Sequence, residues 1–239
     1  MRSQIKKMQG HTEHLLDSFI DLKEKYAMLK PVVYNEELRN QFSGSRLHGL
    51  NIMRNILFLS CSIDIANICL ESGTNSASIA KIMSTIVDKQ IVDKLRESFA
   101  DRELLPASNN EAEIPTDVLL MHHEKRKNEY RNIFDKSFFK LNDLWSSFIQ
   151  SGVPNKFRMI RDKIAAHKEL RFENGKYRPI DANALGIRWK DLDAAINTIQ
   201  QLIEHINNIV RRAGFAWDHF EEQLEKASRG FWGQPTTRT

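Results

Sequence analysis

The sequence predicts an all-α fold, a helical bundle that closes on one long C-terminal helix. Three observations carry this reading. Apolar residues recur in steps of three and four through most of the 239 residues. Helix-breaking positions, namely Pro31, Gly73, the stretch from Pro106 to Pro115 and Ser151-Gly152, fall between those runs. With 41% hydrophobic and 28% charged residues, the composition is that of a soluble globular chain able to fill one sizeable core. Residues 1–230 read as a single helical domain and 231–239 as a tail, with Phe231 and Trp232 docking onto the body.

The first helix is expected over residues 3–30, with Leu15, Phe19, Leu22 and Tyr26 on one stripe. Pro31 is expected to end it, because proline has no amide to donate to a helix interior. His11 and His14 share a face, yet no thiol or carboxylate cluster accompanies them, so they read as structural or exposed. Residues 45–71 are the most apolar segment and the natural central helix, stopped by Gly73. Cys61 and Cys69 stand eight residues apart on it, about 12 Å along a helix, too far to pair. Reduced thiols, no signal-peptide pattern and no apolar run approaching the roughly 18 residues of a membrane span together predict a cytoplasmic protein with no membrane partner.

Helices over 76–87 and 88–100 follow, then a loop or linker at 103–116. Residues 117–150 return to helix, and the stripe Phe134, Phe138, Leu141, Trp145, Phe148 reads as core because all its members face one neighbour. Beyond residue 170 an Asn174-Gly175 pair predicts a short hairpin. Its charges fit an RNA backbone or an ordinary wet loop equally well. From Trp189 an apolar repeat continues through Ile206, Val210, Trp217 and Leu224, about nine turns, longer than one small core needs. The expectation is one helix, part of it packed on a second subunit, with His205 and His219 carrying no chemistry.

The chemistry concentrates in residues 154–170. Pro154 suits a first helical turn, and Phe157, Ile160 and Ile164 give a buried face. Arg161, Ile164 and His167 then fall on one α-helical row, with the two polar ends roughly 9 Å apart along the axis and about 120° apart around it. A permanently charged guanidinium and an imidazole that titrates near neutrality suit a phosphodiester. The spacing alone decides nothing: chance supplies about two such matches in this composition, and the chain has two, the other being Arg212 to His219. Context separates them. Arg161 is followed by Asp162, and the small pair Ala165-Ala166 precedes His167, whereas Arg212 sits inside an apolar stripe.

The segment Ile160-Arg-Asp-Lys-Ile-Ala-Ala-His-Lys resembles the signature of HEPN domains, an all-helical nucleotide-binding and RNase superfamily, and looks most like its abortive-infection, AbiU-type members. Residues 45–58 resemble that group's early core helix, residues 76–82 its following short helix, and residues 185–193 the start of its last helix. The resemblance implies a metal-independent endoribonuclease, a toxin or phage-defence effector. Arg161 and His167 would be catalytic, with Asp162 orienting the site, Lys163, Lys168 and Arg171 holding RNA, and two copies facing each other to supply two histidines. It implies no metal and no cofactor; its partners would be RNA, a second copy and an antitoxin or regulatory protein. A related toxin group carries a modifiable tyrosine two positions after the histidine; this chain has Glu169 there. The competing expectation is a non-catalytic HEPN-like scaffold in which the same arginine and histidine merely pair with carboxylates. The formal net charge of +4 fits either.

Overall fold

The computed structural model describes residues 2–73, 75–101, 116–166, 170–173, 176–179 and 185–233. The elements are α1 (Arg2–Tyr34), α2 (Glu36–Asn40), α3 (Gly44–Leu70), α4 (Ile79–Thr85), α5 (Lys89–Asp101), α6 (Thr116–Gln150) and α7 (Val153–Ile160). A π-helical turn (Arg161–Ala166), strands β1 (Leu170–Glu173) and β2 (Lys176–Pro179), α8 (Trp189–Arg211) and α9 (Trp217–Phe231) complete the chain. The all-α expectation holds, with one small hairpin added.

The main core draws on almost every helix. Leu15, Phe19 and Leu22 of α1, Cys61 and Ile65 of α3, Phe134 and Leu141 of α6, Phe157 and Ile160 of α7, and Ile199, Leu202 and Ile206 of α8 are all buried in it. The aromatic stripe of α6 is core, as its spacing predicts: Phe134 lies against Phe99 and Phe138, with ring centroids at 5.7 and 6.0 Å. By length and composition α3 is apolar enough to cross a membrane, which overturns the expectation that no run comes near that length. In the bundle it packs on α1, α4, α7 and α8 and buries Phe58, Cys61, Ser62, Ile65, Ala66, Ile68 and Cys69.

Two helix boundaries differ from expectation. Pro31 lies inside α1, which continues to Tyr34. The missing Pro31 amide leaves the Ala27 carbonyl, four residues back, without its helical donor, and the Ser228 hydroxyl of α9 donates to that oxygen at 2.7 Å. Trp232 Nε1 donates to the next carbonyl, Met28, at 3.1 Å, and its ring packs with Val32, Leu38 and Leu50. The carbonyl left open by a proline in the last turn of α1 is therefore satisfied by a helix 201 residues away. The docking of Trp232 follows expectation, whereas Phe231 remains in α9 and exposed, so the helix continues past residue 230.

The long terminal helix is instead two. At Arg212 the backbone enters the left-handed region, φ 51° and ψ 42°, and the chain leaves α8. Arg212 stacks over Phe99 and Tyr130, with ring centroids 4.6 and 4.9 Å away, and so holds the break in place. After it α9 returns onto α1 in the same molecule. Buried Lys23 of α1 is the clamp: its Nζ donates to Gln200 of α8 at 2.9 Å, pairs with Glu221 of α9 and lies over the Trp217 ring. The apolar positions of α9 are thus used within this chain.

Candidate functional site

Gly152, at φ 71°, lets the chain reverse between α6 and α7, a conformation that a side chain would strain. Pro154 opens α7, and Phe157 and Ile160 bury its inner face along α3. The α-helix ends at Ile160. Arg161–Ala166 then form a π-helix, whose i→i+5 hydrogen bonds turn each residue through a smaller angle than an α-helix does. This π-helical turn replaces the α-helix expected through Arg161 and Ile164; His167, the far end of the expected row, lies outside the described residues.

Arg161 reaches across to α3 and is gripped along one edge. Its Nε donates to Asp162 Oδ1 at 2.8 Å, and its Nη1 donates to Asn67 Oδ1 and Glu71 Oε2, both at 3.0 Å. Asn67 and Glu71 are four residues apart, hence on one face at the end of α3. Glu71 is itself fixed: its carbonyl accepts from Ser78 Oγ at 2.6 Å, and its Oε1 accepts from the Ser72 amide at 3.2 Å. The remaining nitrogen, Nη2, has no protein acceptor among the described residues, and the side chain keeps a quarter of its surface exposed. Two N–H donors of a held guanidinium are thus available on a widened turn.

Asn67 and Glu71 also border a groove of about 340 Å³ with Asp21, Lys25 and Asp64. Burial alone would lower the Lys25 ammonium, but its 2.7 Å hydrogen bond to Asp64 and that carboxylate's charge outweigh burial and hold its pKa above the ordinary lysine value. Three carboxylates against one ammonium make this groove a poor seat for phosphate.

Of the other expected site residues, Asp162 is brought onto Arg161, and Lys163 lies on the same turn. His167 and Lys168 lie outside the described residues; Arg171 is placed on β1, but nothing of its side chain is described. Asn67 and Glu71 were not anticipated. The signal available was a pair of polar residues at i, i+4 near the end of an otherwise apolar helix.

The remaining titratable groups have structural surroundings. His205 Nδ1 lies 2.9 Å from Ser137 Oγ across α6 and α8, and burial, then the charge of Lys140, lowers its pKa. His11 is lowered by burial and by Lys7, Lys81 and His14. No cluster of three or more His, Cys, Asp or Glu suited to a metal occurs among the described residues. Cys61 and Cys69 are free and buried; burial pushes both thiols up, Cys61 to about 12, with Asp64 adding to the shift there.

No curated protein and no solved structure matches the chain. The HEPN AbiU2 family model matches residues 5–231, a span that takes in α1 to the end of α9, the Arg161 turn and the hairpin. The chain therefore belongs to the abortive-infection AbiU2 family of HEPN domains.

Proposed function

We propose that the protein is a metal-independent endoribonuclease of abortive-infection defence. The observation that carries this reading is the Arg161 side chain, held by Asp162, Asn67 and Glu71 while Nη2 remains open, in the segment that resembles the HEPN signature. A guanidinium fixed before substrate arrives loses little freedom when it meets a phosphate, and it stabilises charge that grows in the transition state.

In this reaction the ribose 2′-oxygen forms a bond to the adjacent phosphorus and the bond from phosphorus to the 5′-oxygen breaks. The products are a 2′,3′-cyclic phosphate and a free 5′-hydroxyl. One imidazole takes the 2′-hydroxyl proton and another protonates the departing 5′-oxygen. His167 has one of these roles, and His167 of a second copy has the other. Arg161 offsets the added charge on the pentacoordinate phosphorus. Asp162 aims the guanidinium, while Lys163, Lys168 and Arg171 hold the flanking RNA backbone. Exposed Ile52, Met53 and Ile56 on α3, the helix against which α7 packs, support a two-fold dimer, because such a row can cover its own copy. The protein works in the cytoplasm, restrained by a regulatory or antitoxin partner.

A second reading has a specific observation in its favour. Two carboxylates on one arginine, Glu71 and Asp162, suit a structural staple in a non-catalytic dimerisation or RNA-binding scaffold. Incubating the purified protein with total RNA in EDTA, beside His167→Ala and Arg161→Ala, separates the two. The nuclease reading expects fragments ending in cyclic phosphate that disappear in both variants. Intact RNA bound by all three proteins leaves the scaffold.

A further inference from the structure

The β1–β2 hairpin starts four residues after the π-helical turn, so the intervening chain lets it stand at most about 14 Å away. Its register pairs Leu170 with Pro179, Arg171 with Arg178, Phe172 with Tyr177 and Glu173 with Lys176. The Phe172 and Tyr177 rings lie 5.1 Å apart, tilted by 57°. They are 63% and 72% exposed, respectively, and Leu170 beside them is 58% exposed. No helix packs extensively on the hairpin among the described residues. Large aromatic side chains left mostly exposed on a two-stranded ribbon are unusual because such a ribbon is marginal without something to cover it.

We propose that Phe172 and Tyr177 are a stacking platform for unpaired bases, so that the substrate is single-stranded RNA whose nucleotides beside the scissile linkage lie on this ribbon. The inference rests on the nuclease reading for its biological purpose. Three features favour a nucleic acid as the occupant. Every base has a π-face, and both residues are aromatic, the side chains that take it. The ribbon's other register positions hold Arg171, Arg178 and Lys176 against one Glu173, so its net charge is positive and attracts a polyanion such as a nucleic acid. Finally, two strands of four residues present a face about 13 Å by about 10 Å, on the order of 130 Å², far below the roughly 800 Å² per partner of a stable protein interface, but matched to one or two bases.

The test uses the full-length His167→Ala protein, which binds without cutting, and a single-stranded RNA carrying 2-aminopurine. Binding should quench the fluorophore. Replacing Phe172 and Tyr177 by leucine should weaken affinity by about tenfold or more and remove the quenching. The aromatic exchange Phe172→Tyr with Tyr177→Phe should retain both, which controls for the fold of the ribbon. A blunt duplex of the same sequence should be indifferent to all four substitutions. Equal affinity in the leucine and aromatic variants overturns the platform. So does equal loss with the duplex, or a shift from dimer to monomer in sedimentation with RNA binding unchanged, which would make the face a protein contact. Quenching by the His167→Ala protein while the wild-type protein also leaves the RNA intact sinks the nuclease reading and leaves the platform standing.

Discussion

Two arginines in this chain precede a histidine at nearly the same spacing, and the structure treats them in opposite ways. Arg161 leaves an α-helix through a π-helical turn, is gripped by oxygens on one edge and offers Nη2 to solvent. Arg212 leaves an α-helix through a left-handed residue and lays its guanidinium over Phe99 and Tyr130. Its histidine, His219, sits exposed on α9, a separate element. Carboxylates and amides orient a cation without hiding it, whereas aromatic faces engage it through its flat side. The surroundings that the fold brings from elsewhere decide which arginine is held by its edge and which by its flat face.

The sharpest way to break this contrast is to remove each arginine and measure RNA cleavage and stability together. Arg161→Ala should lower cleavage about 10²-fold to 10³-fold, and His167→Ala by a comparable or larger factor, with thermal unfolding little changed. Cleavage that survives Arg161→Ala dissolves the distinction. Arg212→Ala should leave cleavage per folded molecule intact yet destabilise the protein by about 1–3 kcal/mol, since it loses both ring contacts and keeps the left-handed strain. Arg212→Gly should be milder, because glycine relieves that strain; denaturant midpoints in which alanine is the gentler change would refute the account of the break. Glu71→Gln should cost under about 1 kcal/mol, as Asn67 and Asp162 still hold Arg161 and the pair is partly exposed.

Histidines refine the same comparison at smaller scale. Burial depresses the His205 pKa in the folded state below the ordinary value near 6.5. Its contribution to stability is therefore fully present above about pH 6.5 and is lost as pH falls below it, because the unfolded chain takes up the proton more readily. Melting curves from pH 7 to 5 should fall less steeply in His205→Asn. His219→Ala, at an exposed position, should change stability by no more than about 0.5 kcal/mol and cleavage not at all.

Local signals were legible in the sequence wherever the cause was local. The α7 start at Pro154, the α6 aromatic stripe and the hairpin at Asn174-Gly175 each depend on neighbours in the chain, and the strands that flank that turn are present. Pro31 misled because its compensation, Ser228, lies 201 residues away. The break at Arg212 was hidden because the apolar repeat resumes in α9, and because a left-handed arginine has no glycine to announce it. At the candidate site, Arg161 and Asp162 were legible, whereas the partners Asn67 and Glu71 come from 94 and 90 residues earlier. The π-helical turn has no residue signature, so the α-helix expected through Arg161 and Ile164 was not met there, while His167 lies outside the described residues.

The bond from Ser228 to Ala27 also sets an order of events during synthesis. Its acceptor emerges from the ribosome early, and its donor follows 201 residues later, roughly 10–40 s at ordinary elongation rates. Through that interval the Ala27 carbonyl faces water or a chaperone, and the nascent chain cannot lock α1 against α9. A helix translated late is the one that completes α1.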